Sequence, residues 1–164
     1  MTDFYFSPWE SGRSFRQLFE SLPDAVLMVD MAGMIRLANT QAVRMFGYSA
    51  EELKSMTVDQ LVPERLRGGH AGHRSRYAAS PEVRPMGRGL DLWALRRDGS
   101  EFPVEISLSP FETGLEKMVF AAIRDMTGYR REVQDLRHQN ADLLAEKARL
   151  EAALAALAPV RGRV

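Results

Sequence analysis

Residues 96–108 read Arg-Arg-Asp-Gly-Ser-Glu-Phe-Pro-Val-Glu-Ile-Ser-Leu. Phe102, Val104, Ile106 and Leu108 occupy every second position, with Pro103, Glu105 and Ser107 between them. A period of two marks a strand with one buried face and one face turned away. A slip of one residue would bury Glu105 and expose the four apolar side chains, so the register is strongly specified. Arg97-Asp-Gly99 supplies a tight turn immediately before it, with glycine free to take positive φ. The chain must therefore enter this strand from an antiparallel partner, predicted over 89–96. Lys117 to Ile123 is apolar and β-branched enough for a third strand beside it.

The N-terminal half adds two more strands and several short helices. A helix fits 14–22, with Phe15, Leu18 and Phe19 on one face and Pro23 stopping it. Ala25-Val-Leu-Met-Val-Asp30 is a continuous apolar run, hence a buried strand. Met31-Ala-Gly33 turns it, and 34–39 pairs back as a hairpin. Asn39 and Thr40 can cap a helix that runs to Phe46 and ends at Gly47. Ser49-Ala-Glu-Glu52 is a capping box opening another helix. Residues 63–79 read as helical, weakened by Gly68 and Gly69, and 81–85 reads as a loop. Two strands, short helices, three strands and a long helix make an α+β domain: five antiparallel strands with helices over one face. The expected organisation is a cap helix over 1–22, a core over 23–125, a long helix over 126–158 and a tail over 159–164.

From Tyr129 no glycine or proline interrupts the chain until Pro159. Leu136, Leu143, Leu150 and Leu157 recur every seven residues. With these at position d, position a falls on Met126, Val133, Asn140, Lys147 and Leu154. The pattern is a coiled-coil seam of about 48 Å at 1.5 Å per residue. A single Asn at an a position favours a parallel two-stranded register, because two such side chains satisfy each other only when aligned. The predicted dimer seam is Val133, Leu136, Asn140, Leu143, Leu150, Leu154 and Leu157. Leu144 and the alanines elsewhere leave open an amphipathic helix folded back on its own domain. Glu146 and Glu151 bring like charges together, so the seam is a weak and adjustable one.

Composition narrows the function classes. The chain has 164 residues, with 22 Lys+Arg balanced by 22 Asp+Glu. No global field draws it to nucleic acid or anionic membrane. Apolar residues at 45% are enough for a packed core. No apolar run approaches the ~20 residues of a membrane span, and no basic-then-apolar leader opens the chain. A cytoplasmic location is expected. The absence of cysteine removes disulfides, thiolate nucleophiles, zinc–thiolate sites and any cysteinyl–chromophore bond. No nucleophile–base–orienter set and no phosphate-binding glycine loop can be assembled, so an enzyme is not expected. His138, followed by Gln-Asn-Ala, sits at heptad position f and reads as solvent-facing.

The ordered set of segments resembles the PAS sensor family. Its carriers are Phe19-Glu-Ser-Leu-Pro-Asp-Ala25, the hairpin 28–39, Met45-Phe-Gly-Tyr-Ser-Ala-Glu-Glu-Leu53, the stretch 96–108, and Arg124-Asp-Met-Thr127. The last looks like the D-x-T motif that ends a PAS core and starts the signalling helix. The resemblance covers about 15–131. It implies a pocket between the concave sheet face and the helices. It implies a signalling junction at Asp125 and Thr127, with Asp125 paired to Arg124, Arg130 or Arg131. It also implies a homodimer acting on a downstream effector, in two-component or cyclic-nucleotide signalling. The chain is then a stand-alone sensor or a part of a longer kinase or cyclase.

Chromophore types that need a cysteine are excluded, which leaves noncovalent flavin, haem, another small ligand or none. The stretch Gly68-Gly-His-Ala-Gly-His-Arg-Ser-Arg-Tyr77 resembles the proximal helix of rhizobial oxygen-sensing kinases of the FixL type. That resemblance puts His70 at the position of the iron-ligating histidine of a haem b, and Ile106 and Leu108 at apolar distal positions. Two departures stand out. Leu90 replaces the distal arginine, with Arg88 two residues earlier as a substitute. Arg84 replaces the propionate-binding histidine. His70 and His73 also form an i, i+3 pair that could hold a divalent metal only with a third ligand such as Glu82. Residues 62–97 carry eight arginines against Glu64, Glu82 and Asp91. This local basic patch reads as a solvated helix face, and no nucleic-acid partner is expected. A ligand-free dimerisation scaffold stands as the alternative to the sensor.

Overall fold

A computed structural model describes residues 8–86, 91–113 and 116–157. Helix α1 (Pro8–Ser21) leads into strands β1 (Ala25–Asp30) and β2 (Ile35–Ala38). Helices α2 (Thr40–Phe46) and α3 (Ala50–Lys54), a 3-10 turn (Val58–Leu61) and helix α4 (Glu64–Ala79) follow. Strands β3 (Arg84–Met86), β4 (Trp93–Leu95), β5 (Glu101–Thr113) and β6 (Glu116–Asp125) complete the sheet, and helix α5 (Thr127–Leu157) ends the described chain.

The sheet is antiparallel with the order β2-β1-β6-β5-β3, and β4 also pairs β5. β3 lies along 106–108 of β5 and β4 along 101–103, so the two short strands share one of five positions. The strand expected over 89–96 is thus reduced to Trp93–Leu95, and residues 87–90 lie outside the described residues. The expected loop over 81–85 instead enters β3. Pro85 pairs with Ser107 on the outermost strand, where a missing N–H costs no ladder bond. The hairpin of β5 and β6 runs from Val104↔Asp125 to Thr113↔Glu116, longer than the alternation alone showed.

The helix ends follow local chemistry. Asn39 caps α2, with its side-chain oxygen accepting from Ala42 N, and Gly47 at φ 79 closes the helix in the left-handed region. The Ser49–Glu52 capping box opens α3 with both reciprocal bonds made. Asn39 does more than cap. It is fully buried, its Oδ1 also accepts from Val26 N at 2.9 Å, and its Nδ2 donates to Asp24 O at 3.0 Å and Phe19 O at 3.3 Å. One side chain thereby ties the end of α1, the start of β1 and the start of α2.

The alternation along β5 sorts the sheet into two faces. Phe102 and Val104 join Ala25, Leu27, Val29, Ile35, Phe46, Leu53, Leu61, Ala121 and Ile123 in the main core, with Ile106 and Leu108 packed against it. β1 reads as a continuous apolar run because its other face is covered too. Val26 and Met28 meet Phe19 of α1 and Met118 there.

The chain divides into two compact units, Met1–Met126 and Thr127–Val164. The second is α5, 31 residues long. Leu136, Leu143, Leu150 and Leu154 along it are all more than half exposed, as is Leu144. Asn140 is exposed and Val133 half-buried, and the side chain of Leu157 lies outside the described residues.

Candidate functional site

A cavity of about 130 Å³ lies within the first unit. Leu27 and Val29 of β1, Ile106 and Leu108 of β5, and Ala121 and Ile123 of β6 form its sheet wall. Phe46, Val58, Leu61 and the α4 residues His70, His73, Arg74 and Tyr77 form its helical wall. Glu105 and Ser107 lie on the other face of β5. The wall is mostly apolar, and apart from Asp30 at the end of β1 its polar side chains lie on α4.

The two histidines are wired oppositely. His70 Nδ1 lies 2.6 Å from Asp59 Oδ1. An ionised carboxylate only accepts, so Nδ1 carries the proton and the neutral ring keeps its lone pair on Nε2. His73 Nδ1 lies 3.1 Å from Arg76 Nη2. A guanidinium only donates, so here Nδ1 accepts and the neutral ring is protonated on Nε2. His70 therefore retains a ligating nitrogen and His73 does not.

Asp59 belongs to the 3-10 turn and also meets Arg74, whose Nη2 lies 3.2 Å from Asp59 Oδ2. Arg74 Nη1 donates to Ala32 O at 2.6 Å in the β1–β2 turn. Gly33, at φ 91, has the Arg74 guanidinium 2.9 Å from where a Cβ would sit. The glycine is required twice, for its left-handed backbone and for the space. Sequence reasoning missed both Asp59 and Arg74. The available signal was the spacing of His70 and Arg74, which at i, i+4 share one helix face and can share one partner.

Of the other site residues, Arg84 lies in β3 with its side chain outside the described residues, and Arg88 and Leu90 lie outside them altogether. Glu82 is exposed, and its backbone oxygen accepts from the Tyr77 hydroxyl at 2.9 Å. Among the described residues no three His, Asp or Glu side chains gather to hold a metal ion. In the arginine-rich stretch, Arg65, Arg74, Arg96 and Arg97 each pair with a carboxylate.

The junction adds a partner distant in sequence. Asp125 closes β6 and pairs with Arg96 at 2.6 Å, while Arg124 holds Asp24 at 2.8 Å. The Asp24 carboxylate beside it keeps the Arg124 guanidinium more firmly protonated than usual. Arg96 also donates to Met45 O and lies 3.7 Å above the centre of the Phe102 ring. Phe102 in turn packs on Phe46 of the cavity wall, with ring centres 5.9 Å apart. A continuous chain of contacts thus runs from the cavity wall through Phe46, Phe102 and Arg96 to Asp125. Arg97 fixes the neighbouring helix. It pairs with Glu52 at 2.9 Å, and its amide donates to Phe46 O at 2.9 Å.

The geometry sits in a known family. The family model of the PAS fold matches residues 13–126. The sensor protein FixL of Bradyrhizobium diazoefficiens is 31% identical over 129 residues, covering 79% of this chain and 26% of that protein. The chain spans about a quarter or less of the curated relatives it matches. The PAS domain of a two-component sensor histidine kinase superposes with a TM-score of 0.61 at 18% identity, over 73% of this chain and 99% of that one. The PAS domain of an HTR-like protein from Haloarcula marismortui does so at 0.59 and 24% identity, over 71% and 93%. No helix among the described residues is long and apolar enough to cross a membrane. With five antiparallel strand positions curled over a small apolar cavity, and a family match across most of its length, the chain belongs to the PAS family of sensor domains.

Proposed function

We propose that this chain is a non-enzymatic sensory module that holds haem b in its cavity through His70 and passes the state of the cavity to a dimeric α5. The observation that carries the ligand is the opposed wiring of the two histidines, which leaves a lone pair on His70 Nε2 alone. Bound haem would supply an iron able to take up a diatomic gas. Ile106 and Leu108 present apolar groups from the sheet, Arg84 is the candidate partner for a propionate, and Arg88 is the candidate substitute for the distal arginine. The cavity is smaller than the ~300 Å³ at the lower end for drug-sized ligands, so uptake requires α4 to move outward. α4 is built for that. Gly68, Gly69 and Gly72 are exposed with nothing near their Cβ positions, so packing does not explain them. Each weakens the helix.

The relay runs through Phe46, Phe102 and Arg96 to Asp125, two residues before α5 begins. The exposed leucines of α5 and Asn140 support a parallel homodimer that carries the shift to an effector. An absorbance spectrum after mixing the protein with haemin tests the ligand. His70→Ala should abolish the five-coordinate ferrous spectrum, and His73→Ala should leave it intact. A protein that takes up no haem, or one in which the two variants behave alike, overturns this reading. Flavin bands or an unchanged, colourless sample would then point to flavin, another ligand or a scaffold. Sedimentation showing a monomer at tens of micromolar would overturn the dimer.

A further inference from the structure

We infer that Asp59 is the positioning residue of His70: it selects the tautomer, holds the ring plane and strengthens the ligating nitrogen as a donor to a metal, a role that rests on the haem reading above. The carboxylate is on a fixed support. The 3-10 turn that carries it is closed by Thr57 N donating to Gln60 Oε1 at 2.8 Å and by Val62 N donating to Asp59 O at 3.2 Å. Val58 N donates to Gly33 O at 2.9 Å, which ties the turn to the β1–β2 hairpin, and Leu61 anchors it in the core.

Both carboxylate oxygens are engaged, Oδ1 by His70 at 2.6 Å and Oδ2 by Arg74 at 3.2 Å. Arg74 is itself held by Ala32 O, so the carboxylate cannot turn away from the ring without breaking a second anchored contact. All three side chains are less than a third exposed. A contact of 2.6 Å to a half-buried carboxylate is short and charge-assisted. A ligating histidine with its second N–H on a carboxylate is fixed in orientation and is a stronger donor to the metal. That donation favours the more highly charged iron, so Asp59 lowers the reduction potential. Arg74 draws on the same carboxylate and moderates the effect.

The test uses Asp59→Asn, which keeps an oxygen for Nδ1–H but removes the charge, alongside Asp59→Ala, which removes both. In haem-free protein at pH 8, ¹⁵N NMR of His70 should show one tautomer, protonated on Nδ1, in the wild type and in Asp59→Asn. Asp59→Ala should show a mixture. On haem addition, Asp59→Ala should bind about 10- to 100-fold more weakly. Asp59→Asn should bind within a few-fold of wild type, while its ferrous iron–histidine Raman band moves to lower frequency and its reduction potential rises. A wild type with mixed His70 tautomers overturns the inference, as does an Asp59→Asn protein whose band and potential match wild type. A wild type with the single tautomer that takes up no haem overturns the haem reading and the electronic role, leaving the positioning of the ring established by the NMR result.

Discussion

Replacing Gly68, Gly69 and Gly72 together by alanine should both stabilise this protein and slow its ligand exchange. All three are exposed and interior to the 16-residue α4, none has positive φ, and a Cβ at each meets nothing within 4 Å. No steric term opposes the gain, so each change should contribute the full propensity difference of about 0.8–1 kcal/mol. A methyl at each meets no neighbour, so the three propensity terms should sum to about 2.5 kcal/mol. For a core of this size that corresponds to a rise of roughly 8–10 °C in Tm. If α4 opens by unwinding, the same energy lowers the open population about 70-fold. Thermal unfolding followed by circular dichroism reads the first effect. Hydrogen exchange of amides 64–79 and the rate of haemin uptake read the second. A higher Tm with unchanged exchange and uptake would show that α4 leaves the sheet as an intact helix, refuting unwinding as the route in. An unchanged Tm would refute the assignment of these glycines as uncompensated.

Further outcomes follow from single groups. Asn39→Ala strips acceptors from two backbone amides and a donor from two carbonyls, and should cost about 3 kcal/mol in urea unfolding; a loss below about 1 kcal/mol would contradict its place as a three-element tie. Arg96→Ala should cost about 2 kcal/mol through the loss of Met45 O, Asp125 and the Phe102 ring, and Arg96→Lys should recover less than half, since an ammonium cannot span the three. Both are read as midpoint shifts at constant slope. The Ser49 backbone amide, and then Arg97, hold the Glu52 carboxyl below its ordinary value of 4.5. A depressed carboxyl contributes stability that is complete above about pH 4.5 and is lost as the pH falls through the lower folded value. Asp98, held below 3.8 by Ser100, acts in the same direction. Stability should therefore decline on acidification from pH 5 to 3, and Glu52→Gln should flatten that decline. An equal decline in Glu52→Gln would exclude the cap as a source of it.

What the sequence determined by itself was everything that depends on near neighbours. The alternation from Phe102 to Leu108 set the two faces of β5, because the pleat has a period of two whatever packs against it. Asn39, Gly47 and the Ser49–Glu52 box marked helix ends, because capping joins groups three or four residues apart. The long helix α5 and the α+β order were legible for the same reason. The tertiary structure alone decided which partner each charge takes. Asp125 meets Arg96, 29 residues away, because β5 and β6 pair from Val104↔Asp125 and bring the β4–β5 turn to the end of β6. Asp59 looked like one more polar residue between short helices, yet α4 sets His70 and Arg74 on its two oxygens. Charge carries no register along a chain. A carboxylate pairs with whichever guanidinium or imidazole the fold brings within reach, and that choice is made by the curl of the sheet and the path of α4, not by the spacing of the letters.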